Sequence, residues 1–195
     1  MSVVKAVGPK RHLWTSKEYY RLFEAGFFRH RRVQLIEGVI FEMPAQKNLH
    51  ALSIELSRSA LELAFGPGFW IRVQMSLDLS PHSVPDPDIA VVQGNPRDFK
   101  SDDNPTSALL IVEVSDTTLR FDQHRKASLY ARAGISDYWI VDLVHQRLEV
   151  RRNPIPDSSQ PFGYRYASVT ILTAADSITP LHAPPATILV ADLLP

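Results

Sequence analysis

ALLIVEVSDTTLRFDQHRKASLYARAGISDYWIVD, residues 108–142, places two apolar runs on either side of a stretch with helical character. Residues 108–114 and 138–142 are apolar at nearly every position, which suits strands covered on both faces inside an α/β sheet. Between them, residues 121–133 read as a helix closed by Gly134. Strand, helix, strand predicts a parallel pair joined by a right-handed crossover. Glu113 does not fit an apolar run. An ionised carboxylate is tolerated there only when a partner or a metal compensates for lost hydration.

Working outward, PDPDIAVV (85–92) supplies a second doubly covered strand with Asp88 at its head. The intervening segment is rich in Asn, Pro, Asp and Ser, and it is long enough for the chain to loop and return alongside. Two carboxylates on neighbouring strands can hold a divalent cation at one spot. Mg²⁺ prefers oxygen ligands and keeps several waters, so two protein carboxylates suffice. On residue types and spacing alone, a strand-end Asp and a Glu paired with Arg or Lys stays open as the alternative.

Further out, Thr15 or Ser16 caps a short helix that Gly26 stops. Residues 33–36 and 39–43 flank Glu37-Gly38, a two-residue connection of the kind hairpins prefer, with Glu37 near the tip. Residues 48–65 carry Leu49, Leu52, Leu56, Ala60 and Leu63 at helical spacing, predicting the buried face of a helix ended by Gly66-Pro67-Gly68. Residues 71–79 alternate strictly and predict a half-buried antiparallel strand. Residues 147–151 and 164–172 predict two later strands, and the end after Ile178 is proline-rich with one apolar patch at 188–190. No internal repeat and no second domain is evident.

The chain has 195 residues, 45% of them hydrophobic, enough for one substantial core. Lys plus Arg equals Asp plus Glu at 21 each, so the global balance lends no support to a nucleic-acid partner, although a local basic face would not show in that sum. With no cysteine, disulfides, thiolate nucleophiles and Cys-based metal centres are excluded. GxGxxG, GxxxxGK[ST], HExxH and GxSxG are absent, which removes the fingerprints of dinucleotide enzymes, P-loop NTPases, zincins and α/β-hydrolases. The start, MSVVKAVGPKRHLW, lacks the apolar region and cleavage site of a secretory signal, and no apolar stretch is long enough to span a bilayer. A soluble, cytoplasmic protein without a membrane partner is expected.

Among residues able to carry chemistry, Lys126 follows Glu113 on the next helix, where an ammonium can position water and stabilise developing negative charge. Helical lysines are more often solvated. Glu37 could act as a further acid, or be an exposed turn residue. His50 and Gln46 lie at the start of the long helix and could reach substrate, although a lone His there is more often a surface residue. Arg29, His30, Arg31 and Arg32 could touch phosphates or be plain solvated surface.

The order of motifs is Leu35-Ile36-Glu37-Gly38, Met43-Pro44-Ala45 with His50, Pro87-Asp88-Ile89, Val112-Glu113-Val114-Ser115, Asp122, Lys126 and residues 130–142. It resembles the Uma-type restriction endonuclease family, a branch of the PD-(D/E)XK nuclease superfamily, over roughly residues 14–150. The resemblance implies an α/β, restriction-endonuclease-like fold: a mixed central β-sheet flanked by helices, with extra C-terminal strands. Residues 1–195 would form one domain, with the core at about 14–150 and residues 151–195 peripheral. It further implies a Mg²⁺ (or Mn²⁺) dependent DNA endonuclease working as a homodimer, with metal on Asp88, Glu113 and the Val114 carbonyl and Glu37 supporting. The superfamily pattern places lysine two positions after the second acid. Here that position is Ser115, and Lys126 stands where this branch carries its lysine, to orient the attacking water and neutralise the phosphorane charge. A nuclease-fold binding or regulatory protein without catalysis is the alternative, favoured by neutral charge and the displaced lysine. A metal-dependent hydrolase of a small phosphoester is a third possibility.

Overall fold

In the computed structural model, which describes residues 8–99, 103–183 and 185–195, the chain opens with helix α1 (Ser16–Glu24). Thr15 and Glu18 close a capping box at its start, satisfying two backbone donors that a helix end leaves free. The hairpin follows as β1 (Val33–Ile36) and β2 (Val39–Glu42). Its tip, Glu37 at φ 48° and Gly38 at φ 74°, has both residues left-handed, the turn whose twist matches that of the strands. Helix α2 (Asn48–Phe65) and β3 (Phe69–Val73) come next. Then follow β4 (Ile89–Gln93) and β5 (Leu110–Ser115).

A single helical stretch then runs as α3 (Leu119–Phe121), a π-helical turn (Asp122–Lys126) and α4 (Ala127–Arg132). It leads to β6 (Asp137–Asp142), β7 (Arg147–Pro156) and β8 (Tyr164–Thr173), and a small ribbon of β9 (Ser177–Ile178) with β10 (Ile188–Leu189) ends the strands.

The six strands β3-β4-β5-β6-β7-β8 form one mixed sheet in that order. Only β5 and β6 run parallel, joined by the α3–α4 stretch as the sequence predicts. Side-chain alternation divides β5 between two cores. Leu110, Val112 and Val114 join the cluster beneath α2, while Ile111 joins the cluster beneath α4 with Tyr130, Tyr138 and Ile140. Glu113 has the parity of Ile111 and so points toward the α3–α4 side.

Three expectations give way. Residues 71–79 are not one strand: β3 stops at Val73 because Gln74 adopts φ 51°, turning the chain out of the sheet while its N–H still reaches the Asp88 carbonyl at 3.1 Å. Helix α2 spans its predicted residues but buries a different face. His50, Ser53, Ile54, Ser57 and Leu61 turn inward, and Leu49 and Leu63 are 59% and 87% exposed. Small serines admit the C-terminal chain closely, with Ser53 Oγ donating to the Leu193 carbonyl at 2.7 Å. Residues 151–195 are not peripheral to the packing either. β8 pairs along β7, and Ile188, Val190 and Leu193 lie in the core under α2. Residues 1–7, the middle of the 93–108 connection (100–102) and Pro184 lie outside the described residues.

Leu193→Ala should therefore cost about 2–5 kcal/mol, the range for a buried leucine, measured by urea unfolding. A loss near zero would show that this end of the chain is not part of the core.

Candidate active site

Two carboxylates face one another because of strand register. β4 and β5 pair antiparallel with Ile89 opposite Val112, and one further step places Asp88 across from Glu113 on the same face. Asp88 Oδ2 accepts the Val114 N–H at 2.9 Å, which fixes the carboxylate against β5. Both backbone groups of a strand residue point to one edge, so the Val114 carbonyl is directed to the same side. The other oxygen, Oδ1, lies 3.3 Å from His50 Nε2 and takes a 3.4 Å contact from Gln74 Nε2.

Glu113 is held from the helical side. Its Oε1 accepts the Tyr130 hydroxyl at 2.7 Å and the Lys126 ammonium at 2.8 Å. Lys126 is 2% exposed, so the solvated reading of a helical lysine does not apply to it. Its Nζ also lies 3.7 Å from Asp122 Oδ1, the i−4 residue at the other end of the π turn. Such turns frequently mark functional sites, and here the turn aims both side chains at the sheet. Asp122 Oδ2 takes hydrogen bonds from Ser115 Oγ at 2.6 Å and Thr118 Oγ1 at 2.7 Å.

The charge balance is uneven. Asp88, Glu113 and Asp122 are all buried, and among the described residues Lys126, set beside them, is the one buried lysine. Burial pushes the Glu113 carboxyl up to about 8 against the pull of Lys126. It raises Asp122 and Asp86 too, more than Lys126, Ser115 and Ser76 lower them. For Asp88 burial also works upward, yet the His50 hydrogen bond, the Lys126 charge and the Val114 N–H together hold it below its ordinary value. Burial works to lower Lys126, but the surrounding carboxylates hold its ammonium above the usual range.

Asp88, Glu113 and Lys126 line a pocket of about 30 Å³, room for an ion or a water or two. Arg32, Gln34, Gln46 and His50 form part of its wall. Among the described residues, five buried side-chain polar atoms lack a hydrogen-bond partner, and three belong here: Gln34 Oε1, Gln46 Nε2 and Asp122 Oδ1. Such atoms call for an explanation, an ion or a bound polar group among them. The oxygen-only donor set suits a hard cation. Among the described residues no three His, Asp or Glu side chains gather as a complete metal cage, so a cation would take the rest of its shell from the Val114 carbonyl, water or substrate.

The structure thus brings together Asp88, Glu113, Val114, Lys126, His50 and Gln46. It does not bring Glu37 to them. The left-handed turn sends that side chain to Ser83 Oγ at 2.9 Å and Arg132 Nη1 at 2.6 Å. Of the basic run, Arg32 reaches the pocket wall and Arg31 pairs with Glu42 at 3.9 Å. Asp122 and Tyr130 stood in the motif order without a role, and their spacing from Lys126, four residues to either side, is the signal that could have assigned one. Gln34 and Asp86 offered no signal in the sequence.

The pattern of the Uma2 putative restriction endonuclease family matches residues 16–188. The chain belongs to this family. Among solved structures it is similar to a putative nuclease of the DUF820 group from Anabaena variabilis, with a TM-score of 0.67 and 14% identity, covering 92% of this chain and 97% of that one. The likeness establishes the shared restriction-endonuclease-like fold. A comparison with curated proteins finds no match. Ser115, two positions after Glu113, hydrogen-bonds Asp122, and Lys126 enters from the helix. No described helix is long and apolar enough to cross a membrane.

The raised Glu113 carboxyl makes stability pH-dependent. Its ordinary value is 4.5 and its folded value about 8, so between them the folded chain holds a proton that the unfolded chain has lost. Stability therefore falls as pH rises through that window. In EDTA, the melting temperature should drop by several degrees from pH 6 to 8.5, and Glu113→Gln should flatten most of that slope. An unchanged slope in the variant would place the titration elsewhere.

Proposed function

We propose that the protein is a metal-dependent endonuclease that hydrolyses phosphodiester bonds in DNA. The observation that carries this reading is the excess of buried carboxylate over lysine at a water-sized pocket, in a chain of the restriction endonuclease family. Asp88, Glu113 and the Val114 carbonyl would hold Mg²⁺ or Mn²⁺. When bound, the cation supplies charge neutralisation at the phosphate and acidifies water.

The chain's own groups do the rest. The Val114 N–H and His50 keep Asp88 in place, and the Tyr130 hydroxyl keeps Glu113 in place. Lys126 brings a fixed ammonium to the pocket floor, where it can donate to the attacking water and offset the charge that builds on the phosphorane. Its contact with Glu113 orients it without exposing it to solvent. At the mouth, Arg32 lines the pocket, and Lys47, 70% exposed in its side chain, stands 3.2 Å from Asp116. These are local positive charges for a phosphate backbone, although the net charge is zero.

A second reading, a nuclease-fold binding or regulatory protein without catalysis, is favoured by the 2.8 Å Lys126–Glu113 pair inside so small a pocket. Calorimetry with Mg²⁺ and Mn²⁺ on wild type, Asp88→Asn and Glu113→Gln separates the two, followed by plasmid nicking on the same samples. Under the nuclease reading, both variants lose cation binding. Lys126→Met keeps much of the binding but lowers the nicking rate by roughly 10²–10³, the cost of removing one such donor. A folded wild type that binds neither cation and nicks nothing would move the second reading to first place.

A further inference from the structure

Beside the acidic pocket lies a second, larger groove with different chemistry. It is lined by Phe41, Met43, Pro44, Thr117, Thr118 and Phe121, and it encloses about 380 Å³, within the range of small-molecule sites. Met43, Pro44, Thr117 and Thr118 line both spaces, so the groove opens directly off the acidic pocket. The Phe41 and Phe121 rings stand 5.2 Å apart, centroid to centroid, and tilted by 61°. The Arg125 guanidinium lies 5.4 Å from the centroid of the Phe41 ring. Glu42, also on the groove wall, is met by Arg31 at 3.9 Å.

These features call for a flat, aromatic ligand joined to an anion. Apolar and aromatic walls take up a π-face, and Arg125, lying over the Phe41 ring, keeps a positive charge near the groove. The acidic pocket, at about 30 Å³, admits an ion or a water but no base. Of the two adjoining spaces, the groove is the one with room for the base of a nucleotide whose phosphate lies at the acids.

The geometry points to a nucleobase site: the groove between β2 and the α3 turn receives one unstacked base of the strand that is cut, so the substrate is single-stranded or locally unpaired nucleic acid. This rests on the nuclease reading for the position of the phosphate. A base lying against Phe41 or Phe121 in the groove has left its stack in a duplex. Stacking is tolerant of base identity, so the groove selects strand state more than sequence.

The test is fluorescence anisotropy in EDTA, where nothing is cut, with a labelled 12-nucleotide single strand and the same strand in a duplex. Phe41→Leu and Phe121→Leu keep apolar volume but remove the π-face, and their melting temperatures check folding. The single strand should bind at least about tenfold tighter than the duplex. Each variant should weaken single-strand binding by roughly 5- to 150-fold, equivalent to about 1–3 kcal/mol per stacked base, and change duplex binding little. Equal binding of strand and duplex, or folded variants that bind the single strand as wild type does, would overturn the inference. Plasmid nicking by wild type would survive that outcome. Conversely, Phe-dependent single-strand binding without any cleavage would uphold the base site and sink the hydrolytic reading.

Discussion

Burying a carboxylate costs several kcal/mol unless its charge is met, and this protein buries three around a single lysine. Much of the local architecture answers that constraint. Register on β4 and β5 sets Asp88 opposite Glu113, and the Val114 N–H ties the first acid to the second strand. From the other side the helical stretch supplies Lys126, the Tyr130 hydroxyl and Asp122, while Ser115 and Thr118 hold Asp122 in turn. One ammonium serves three acids, so Glu113 holds a proton up to about pH 8, and a bound divalent cation would take that proton's place.

The place of Lys126 on the helical stretch follows from the same packing. A lysine on β5 two residues after Glu113 would share its face, but Ser115 is small there, and its hydroxyl serves Asp122. Lys126 arrives instead from the π turn, whose ends present Asp122 and Lys126 to the sheet together. Helix and strand are coupled through the acids, so a change at Ser115 or in the turn should disturb the site without touching a proposed metal ligand.

Doubly covered strands were legible because an apolar run with no alternation has few other readings: β4, β5 and β6 fall where residues 89–92, 108–114 and 138–142 place them. Asp88, Glu113 and Lys126 were legible as candidates for the same reason, as charges at odds with their surroundings or in motif order. Other features depended on tertiary partners. Alternation continued past Val73, but the left-handed Gln74 ended the strand, and no local pattern signals a non-glycine residue in that conformation. The leucine stripe of α2 pointed to one face, whereas the C-terminal chain packs on the serines of another. Glu37 sat correctly at its turn, but Arg132, 95 residues away, decides where its side chain goes.

The most direct test of the central claim is a crystal structure with Mn²⁺, read by its anomalous signal. A peak within coordination distance of Asp88, Glu113 and the Val114 carbonyl, with the Lys126 ammonium drawn off Glu113 Oε1, is the expected result. A wild-type crystal at saturating Mn²⁺ with no peak there and the Lys126–Glu113 pair intact would contradict it, leaving the acids as a closed structural network.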